Sequence, residues 1–436
     1  MTPAARLSAA IEVLDDILAR HRPAGDALAD WGKAHRFAGS GDRAAIGNLV
    51  FDALRRKASL AHVMGTDAPR ALVLALYARH WEDLPALERL ASGERFAPAP
   101  LSEDERAALA RPDPLADAPA HVRGDYPQWL DESLARVFGE ARAAEGAAIA
   151  ERAPIDLRVN TLKADRAKVL AALEPFGAAP APLSPTGVRI APGRGPARSP
   201  NIEVEAAYQK GLVELQDEGS QLAALIADAH GGEQVADLCA GGGGKTLALA
   251  AAMENRGQLY AWDEDRHRLA PIYQRLERAG ARNVQVKRGG DERELEALEG
   301  RMDRVVLDVP CTGTGAWRRR PDAKWRIREK ALPERMAEQD AILTRGARLV
   351  RPGGRLVYIT CSLLAEENED RVRAFLESAA GAAFAPVGLA ADWRRLVGGA
   401  PPAIPAGVAG LVPSIRLSPR ATGTDGFFVC VLERRN

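Results

Sequence analysis

Through the first 95 residues, hydrophobic positions recur at helical spacing. Leu7, Ile11, Leu14 and Leu18 mark one face of a first helix. A second, over about 42–57, carries Ile46, Leu49, Val50, Ala53 and Leu54 on one side, with Arg43, Arg55, Arg56 and Lys57 elsewhere. A third, over about 69–80, is apolar almost all round, which predicts burial on every side. The stretch 96–126 is rich in proline, which removes helical N–H donors. It reads as a linker without regular structure.

The pattern changes after residue 126. A helix is expected from Pro127 to about 150, then a strand over Ile155–Asn160, where apolar and polar positions alternate. Residues 163–175 read as helix, 185–213 as short strands with turns, and Gln216 to His230 as helix. From 234 onward strands and helices alternate. Strands are expected at 234–239, 257–263, 284–288, 303–309 and 354–361, and helices at 245–254, 266–279, 333–350 and 365–379. This alternation predicts an α/β fold with a mostly parallel, doubly wound sheet covered on both faces. A last apolar run spans Phe427 to Leu432. Three segments follow: an all-helical 1–125 with its proline-rich linker, a small α+β segment 126–213, and an α/β domain 214–436.

Composition narrows the picture only slightly. A chain of 436 residues exceeds one ordinary core. Lys plus Arg and Asp plus Glu both number 59, so net charge says nothing about nucleic acid. The four cysteines are far apart and form no C-x-x-C pair, so neither a zinc site nor a disulfide framework is indicated. Reduced thiols in a cytoplasmic protein are expected. Glu12, Asp15 and Asp16 argue against a signal peptide. No apolar run reaches the ~20 residues that span a bilayer. No metal or membrane partner is expected, and a monomer is the default.

The chemistry starts at Asp237-Leu238-Cys239-Ala240-Gly241-Gly242-Gly243-Gly244-Lys245-Thr246, a glycine turn between a strand and a helix. Such a turn lets backbone N–H groups approach a ligand closely. Neither the phosphate-loop pattern nor G-x-G-x-x-G is complete here. Asp263 closes the next strand, where a carboxylate can accept both hydroxyls of a ribose. That arrangement suits S-adenosylmethionine as well as a dinucleotide. Asp291, after the third strand, is a candidate for the adenine amino group.

Two thiols complete the pattern. Cys311 ends Asp308-Val309-Pro310-Cys311, and Cys361 ends the apolar run Tyr358-Ile359-Thr360-Cys361. Free cysteines are often plain core residues. Two at successive strand ends beside a cofactor turn point instead to covalent chemistry. Carbon 5 of a pyrimidine is a poor nucleophile until a thiolate adds to carbon 6, so methylation there is a natural use for them. Lys245 is placed to favour a thiolate, and Asp308 to read a base edge. Cys239 and Cys430 read as structural. Arg318, Arg319, Arg320, Lys324 and Arg326 follow the Cys311 turn and are candidates for RNA phosphates, with Asp322 and Trp325 bracing the loop.

At these residues the chain resembles the Sun family of RNA cytosine-5 methyltransferases, most closely its bacterial branch acting on small-subunit rRNA. The matching motifs span 127–436 in order. They are 158–163, 216–221, 237–246, 308–315, 320–325, 358–362 with Glu366-Glu367-Asn368-Glu369, and 423–428. The resemblance implies a Rossmann-like methyltransferase core after a small RNA-binding subdomain, with an N-terminal NusB-like RNA-binding domain. It implies Cys361 as nucleophile, and Cys311 assisting product release with Asp308 and Lys245 alongside. S-adenosylmethionine is expected on residues 239–245, Asp263, Asp291 and Asp308. RNA, either 16S rRNA or an assembling subunit, is expected on Arg158, Asn160 and the basic segment. The residues alone leave the thiol roles open, since DNA cytosine-5 methyltransferases use the Pro-Cys thiol. A DNA enzyme using Cys311 and a non-catalytic RNA-binding assembly factor are the alternatives. One departure stands out: the proline usual at 242 is glycine here.

Overall fold

The stripe Leu7, Ile11, Leu14 and Leu18 lies on one helix, Pro3–Arg20, capped by the Thr2 side chain. Leu7 and Leu14 are completely buried. The computed structural model describes residues 1–436 and divides them into two units. Unit one holds Met1–Ala153, Pro192–Pro200 and Trp317–Ile327. Unit two holds Pro154–Ala191, Asn201–Ala316 and Arg328–Asn436.

Unit one is helical. Its core gathers Leu14, Ile46, Leu54 and Leu60 around the helix Pro69–Leu76, where Ala71 to Leu76 are all buried. The stretch expected to lack structure contains a helix, Glu103–Ala110. Its prolines lie outside that helix. Ser102 and Glu105 form a reciprocal cap, with Glu105 N donating to Ser102 Oγ and Ser102 N donating to Glu105 Oε2. The single helix expected over 127–150 is broken. Gly139, at φ +54, separates Asp131–Phe138 from Arg142–Ile149. These helices pack with unit one, so compactness divides the chain at 153, well past the proline-rich stretch. Within unit one, the buried Asp125 carboxylate accepts from Ser59 N at 2.8 Å and Ser59 Oγ at 2.7 Å.

Unit two contains two sheets. The smaller is antiparallel in the order β2-β3-β1-β4, with β1 Ile155–Val159, β2 Ala179–Pro180, β3 Gly187–Ile190 and β4 Val213–Leu215. In the larger, β5 Gln234–Asp237, β6 Gln258–Ala261, β7 Val284–Val286, β8 Met302–Asp308 and β9 Val350–Thr360 run parallel, in the order β9-β8-β5-β6-β7. Central strands of such a sheet are buried on both faces, which is why they read as apolar runs. Three antiparallel strands complete its edge: β10 Phe384–Pro386, β11 Ile415–Leu417 and β12 Phe427–Arg434. Both β10 and β11 pair with β12, and β12 pairs with β9. The chain order reverses between β5 and β8, so ligands are expected at the carboxyl ends of those strands.

Candidate active site

The glycine turn follows β5. Gly241 and Gly243 have φ of +47 and +86, a region that residues with a Cβ rarely occupy. A Cβ on Gly243 would also lie 2.6 Å from Ile272. Just past β6, the buried Asp263 accepts from Gly241 N and from Asp265 N, each at 2.9 Å. One carboxylate thus shapes the turn and the entrance to the following helix. Arg275 holds the turn at Gly242 from outside. It donates to Gly242 O at 2.6 Å while pairing with the buried Glu214 at 3.0 Å. A cavity of about 680 Å³ opens beside the turn, lined by Cys239, Trp262, Asp263, Arg268, Gly289 and Pro310 among others. Its position at the glycine turn, its size and the buried carboxylate of Asp263 in its lining fit a nucleoside cofactor.

The thiols meet at the ends of the paired strands β8 and β9, with Cys311 Sγ 3.3 Å from Cys361 Sγ. Their loops are interlocked. Gly315 N donates to Cys361 O, and Gly426 N donates to Gly315 O, each at 2.9 Å. A Cβ on Gly315 would meet the Gly426 backbone. Leu363 N donates to Thr314 Oγ1 at 2.7 Å. Asp308 Oδ2 lies 2.7 Å from Lys245 Nζ, which also donates to Ser220 Oγ at 3.2 Å. Lys245 is therefore committed to the Asp308 carboxylate.

The environment distinguishes the thiols. The hydrogen bond to Cys361, burial, and the charge of Glu367 together push the Cys311 thiol well above its ordinary range. Burial, with Asp237 and Asp263 nearby, pushes Cys239 well up too. Cys430 sits in β12 with Sγ 3.4 Å from Pro413 O, also pushed up by burial. Cys430 occupies a packing position, while Cys239 lies in the cavity lining.

Several candidate residues lie elsewhere. Arg158, expected on RNA, is buried in β1 opposite Glu214, and burial lowers its guanidinium to about 10. Asn160 is buried too. Its Nδ2 donates to Gly211 O and Ala279 O at 2.8 Å, and its Oδ1 accepts from Leu162 N. Asn160 is thus a framework residue, its amide satisfied by protein partners, whereas the buried Arg158 leaves Nε and Nη1 without a hydrogen-bond partner. The Asp291 carboxylate faces Arg293 and Arg288 rather than the cavity lining. In unit one, Arg318 and Lys324 are buried. Lys324 Nζ donates to Arg55 O at 2.8 Å, and Trp325 Nε1 donates to Leu54 O at 2.6 Å. The helix Pro321–Arg326 thus caps carbonyls at the end of the helix Ser40–Arg55. Asp322 braces the same segment, accepting from Ala24 N and pairing with Arg326. Arg319, Arg320 and Arg326 remain at the surface.

Sequence reasoning missed Glu367 and Gln339 as site residues. Glu367 is completely buried; it accepts from Thr312 N at 2.8 Å, from Thr312 Oγ1, and from Gln339 Nε2 at 3.0 Å. Gln339 Nε2 also donates to Pro310 O at 2.9 Å. A signal was present. Gln339 shares the apolar spacing of Ile342, Leu343 and Gly346, and a glutamine on a buried face needs polar company.

A parallel sheet that reverses between β5 and β8, a glycine turn after β5 and an acid just past β6 define a Rossmann-like methyltransferase fold. Residues 224–433 match the family described as 16S rRNA methyltransferase RsmB/F. Residues 126–194 match its ferredoxin-like domain. The chain belongs to this family. It is 32% identical over 321 residues to the probable ribosomal RNA small subunit methyltransferase B of Bacillus subtilis, covering 71% of this chain and 66% of that protein. The corresponding Escherichia coli O17:K52:H18 protein is 33% identical over 265 residues, with 60% of each chain covered. This chain therefore spans about 60 to 66% of the length of these relatives. Among solved structures, PH0851 superposes with a TM-score of 0.73 and 26% identity, over 100% of this chain and 99% of that one. NSun6 from Pyrococcus horikoshii with SFG superposes at 0.59 and 23% identity, over 71% and 98%, a likeness of fold.

Proposed function

We propose that the protein methylates carbon 5 of a cytosine in small-subunit rRNA. The paired sulfurs 3.3 Å apart at the carboxyl ends of neighbouring strands, next to the glycine turn, carry this reading. S-adenosylmethionine supplies the methyl group when bound, and Asp263 with the backbone of 239–244 forms the fitting cradle for its nucleoside. The Cys361 thiolate adds to carbon 6 of the ring and makes carbon 5 electron-rich. Carbon 5 bonds to the methyl carbon as the sulfonium–methyl bond breaks. Cys311, as a thiolate base, takes the proton from carbon 5; that carbon–hydrogen electron pair re-forms the 5,6 double bond as the carbon 6–sulfur bond breaks, restoring the Cys361 thiolate. Asp308 and Lys245, held together, orient the base edge. The names of the relatives support rRNA as the substrate. The exposed Arg319, Arg320 and Arg326 are suited to phosphates.

The test is methyl transfer from tritiated S-adenosylmethionine to undermethylated 16S rRNA, followed by bisulfite mapping. The expected result is label at a cytosine that becomes bisulfite-resistant. Label on another base or on duplex DNA alone, or tight RNA binding without label, would overturn the proposal.

A further inference from the structure

Two reduced thiols in contact are also a site for oxidation. Cys311 Sγ and Cys361 Sγ lie 3.3 Å apart, and both residues are only half-buried, within reach of a small solute. Their backbones are held at a spacing that suits a disulfide. Asp308 stands opposite Ile359 in the register of β8 and β9, Val309 N donates to Ile359 O at 3.0 Å, and Gly315 N donates to Cys361 O at 2.9 Å. Neighbouring strands run about 4.8 Å apart, within the roughly 4.4–6.8 Å that a disulfide needs between its Cα atoms. The sulfurs have only about 1.3 Å further to travel to bonding distance. The other two cysteines are placed differently. Cys430 is completely buried in β12, and Cys239 lines the cavity beside the glycine turn.

We propose that Cys311 and Cys361 form a reversible oxidation site, at which a hydroperoxide closes a disulfide and stops methyl transfer. The disulfide is argued from geometry alone, while its effect on activity rests on the cytosine-methylation reading above. One sulfur, as a thiolate, attacks a peroxide oxygen. A sulfur–oxygen bond forms as the oxygen–oxygen bond breaks, and hydroxide leaves (an alkoxide from an organic hydroperoxide). The partner thiolate then attacks the sulfenic sulfur. The sulfur–sulfur bond forms, the sulfur–oxygen bond breaks, and a second hydroxide leaves. The two thiol protons turn these leaving groups into water, and two electrons pass from the sulfurs to the peroxide. The product is the same whichever sulfur reacts first. A partner already in contact captures the sulfenic acid before a second peroxide arrives, which spares the pair from irreversible oxidation. The closed bond leaves no thiolate to add to carbon 6. A small dithiol restores both sulfurs by exchange.

The test uses the whole wild-type protein, reduced, freed of reductant and treated with stoichiometric hydrogen peroxide. Remaining thiols are blocked with N-ethylmaleimide, and the protein is digested without reductant for peptide mass spectrometry. The expected product is a monomer lighter by two hydrogens, with the Cys311 peptide joined to the Cys361 peptide. Methyl transfer to undermethylated 16S rRNA should fall in proportion to the linked fraction and return with dithiothreitol. Cys239→Ser and Cys430→Ser should form the same link. Cys311→Ser should form none and should carry sulfenic and then sulfinic acid on Cys361 instead. Separate oxidised cysteines without a 311–361 link, a link only between molecules, or a link to Cys239 or Cys430 would overturn the proposal. Undiminished methyl transfer by the linked protein would overturn it as well. The link is read by mass and needs no turnover. A protein that forms it but transfers no methyl group even when reduced would therefore overturn the functional reading and leave the oxidation site standing.

Discussion

At the scale of single residues, the two thiols are set apart by their place at neighbouring strand ends, Sγ to Sγ 3.3 Å. The sequence made the thiols legible because each ends an apolar run followed by hydroxyl or glycine residues. It misplaced Arg158, Asn160, Arg318 and Lys324, all buried, because a basic or amide side chain reads as surface-facing until its surroundings and any buried partners are known. Those partners come from distant segments: Arg55 for Lys324, Gly211 and Ala279 for Asn160. Lys324 yields a prediction. Burial lowers its ammonium to about 7, with Asp125 opposing and Arg55 and Arg56 adding to the effect. The unfolded chain keeps that proton to about 10.4, so it binds more protons than the native state between these values and stability climbs with pH there. Chemical denaturation at pH 7 and pH 9.5 should show a gain on the order of 1–3 kcal/mol that Lys324→Met abolishes. An equal gain in the variant would contradict the assignment.

At the scale of elements, period and turn chemistry were largely readable. The five parallel strands fall close to their expected places; β8 and β9 were readable as apolar runs, 305–307 and 356–359, whereas β6 and β7 are short and mixed and were readable from their place in the strand–helix alternation. The short strands β10 and β11 were not foreseen; each has three residues and is held chiefly by pairing with β12. The helix Glu103–Ala110 was hidden by flanking prolines, although its cap is written in Ser102 and Glu105. Glycines carry the geometry of the site. Gly243→Ala should cost about 1–3 kcal/mol from its φ of +86 and the Ile272 contact, and weaken binding of S-adenosylhomocysteine at least tenfold by calorimetry. Gly315→Ala should leave that binding near wild type yet abolish methyl transfer, because a Cβ there separates the Cys311 loop from Gly426. Equal losses in both properties for the two variants would show that the turn and the thiol loops are not separable.

At the scale of the molecule, the chain is interleaved rather than strung as beads. Trp317–Ile327 departs from the α/β unit just after the Cys311 turn and packs among the N-terminal helices. A linear boundary drawn from composition cannot show this, since the segment returns across more than 260 residues, as in the 269-residue separation of Lys324 and Arg55. Deleting residues 1–153 should thus expose Trp325 and leave Lys324 without its carbonyl partner. Limited trypsin digestion should cut after Arg318 and Arg319 in the truncated protein far faster than in the whole one. Equal rates would mean that the segment needs no helical unit to fold.

The roles of the sulfurs decide the account most directly. Each cysteine is replaced by alanine, the variants are incubated with RNA and S-adenosylmethionine, and complexes that survive denaturing electrophoresis are counted. Cys361→Ala should give neither product nor a covalent complex, whereas Cys311→Ala should accumulate RNA joined to protein. A complex with Cys361→Ala and none with Cys311→Ala would assign the nucleophile to Cys311 and contradict the account.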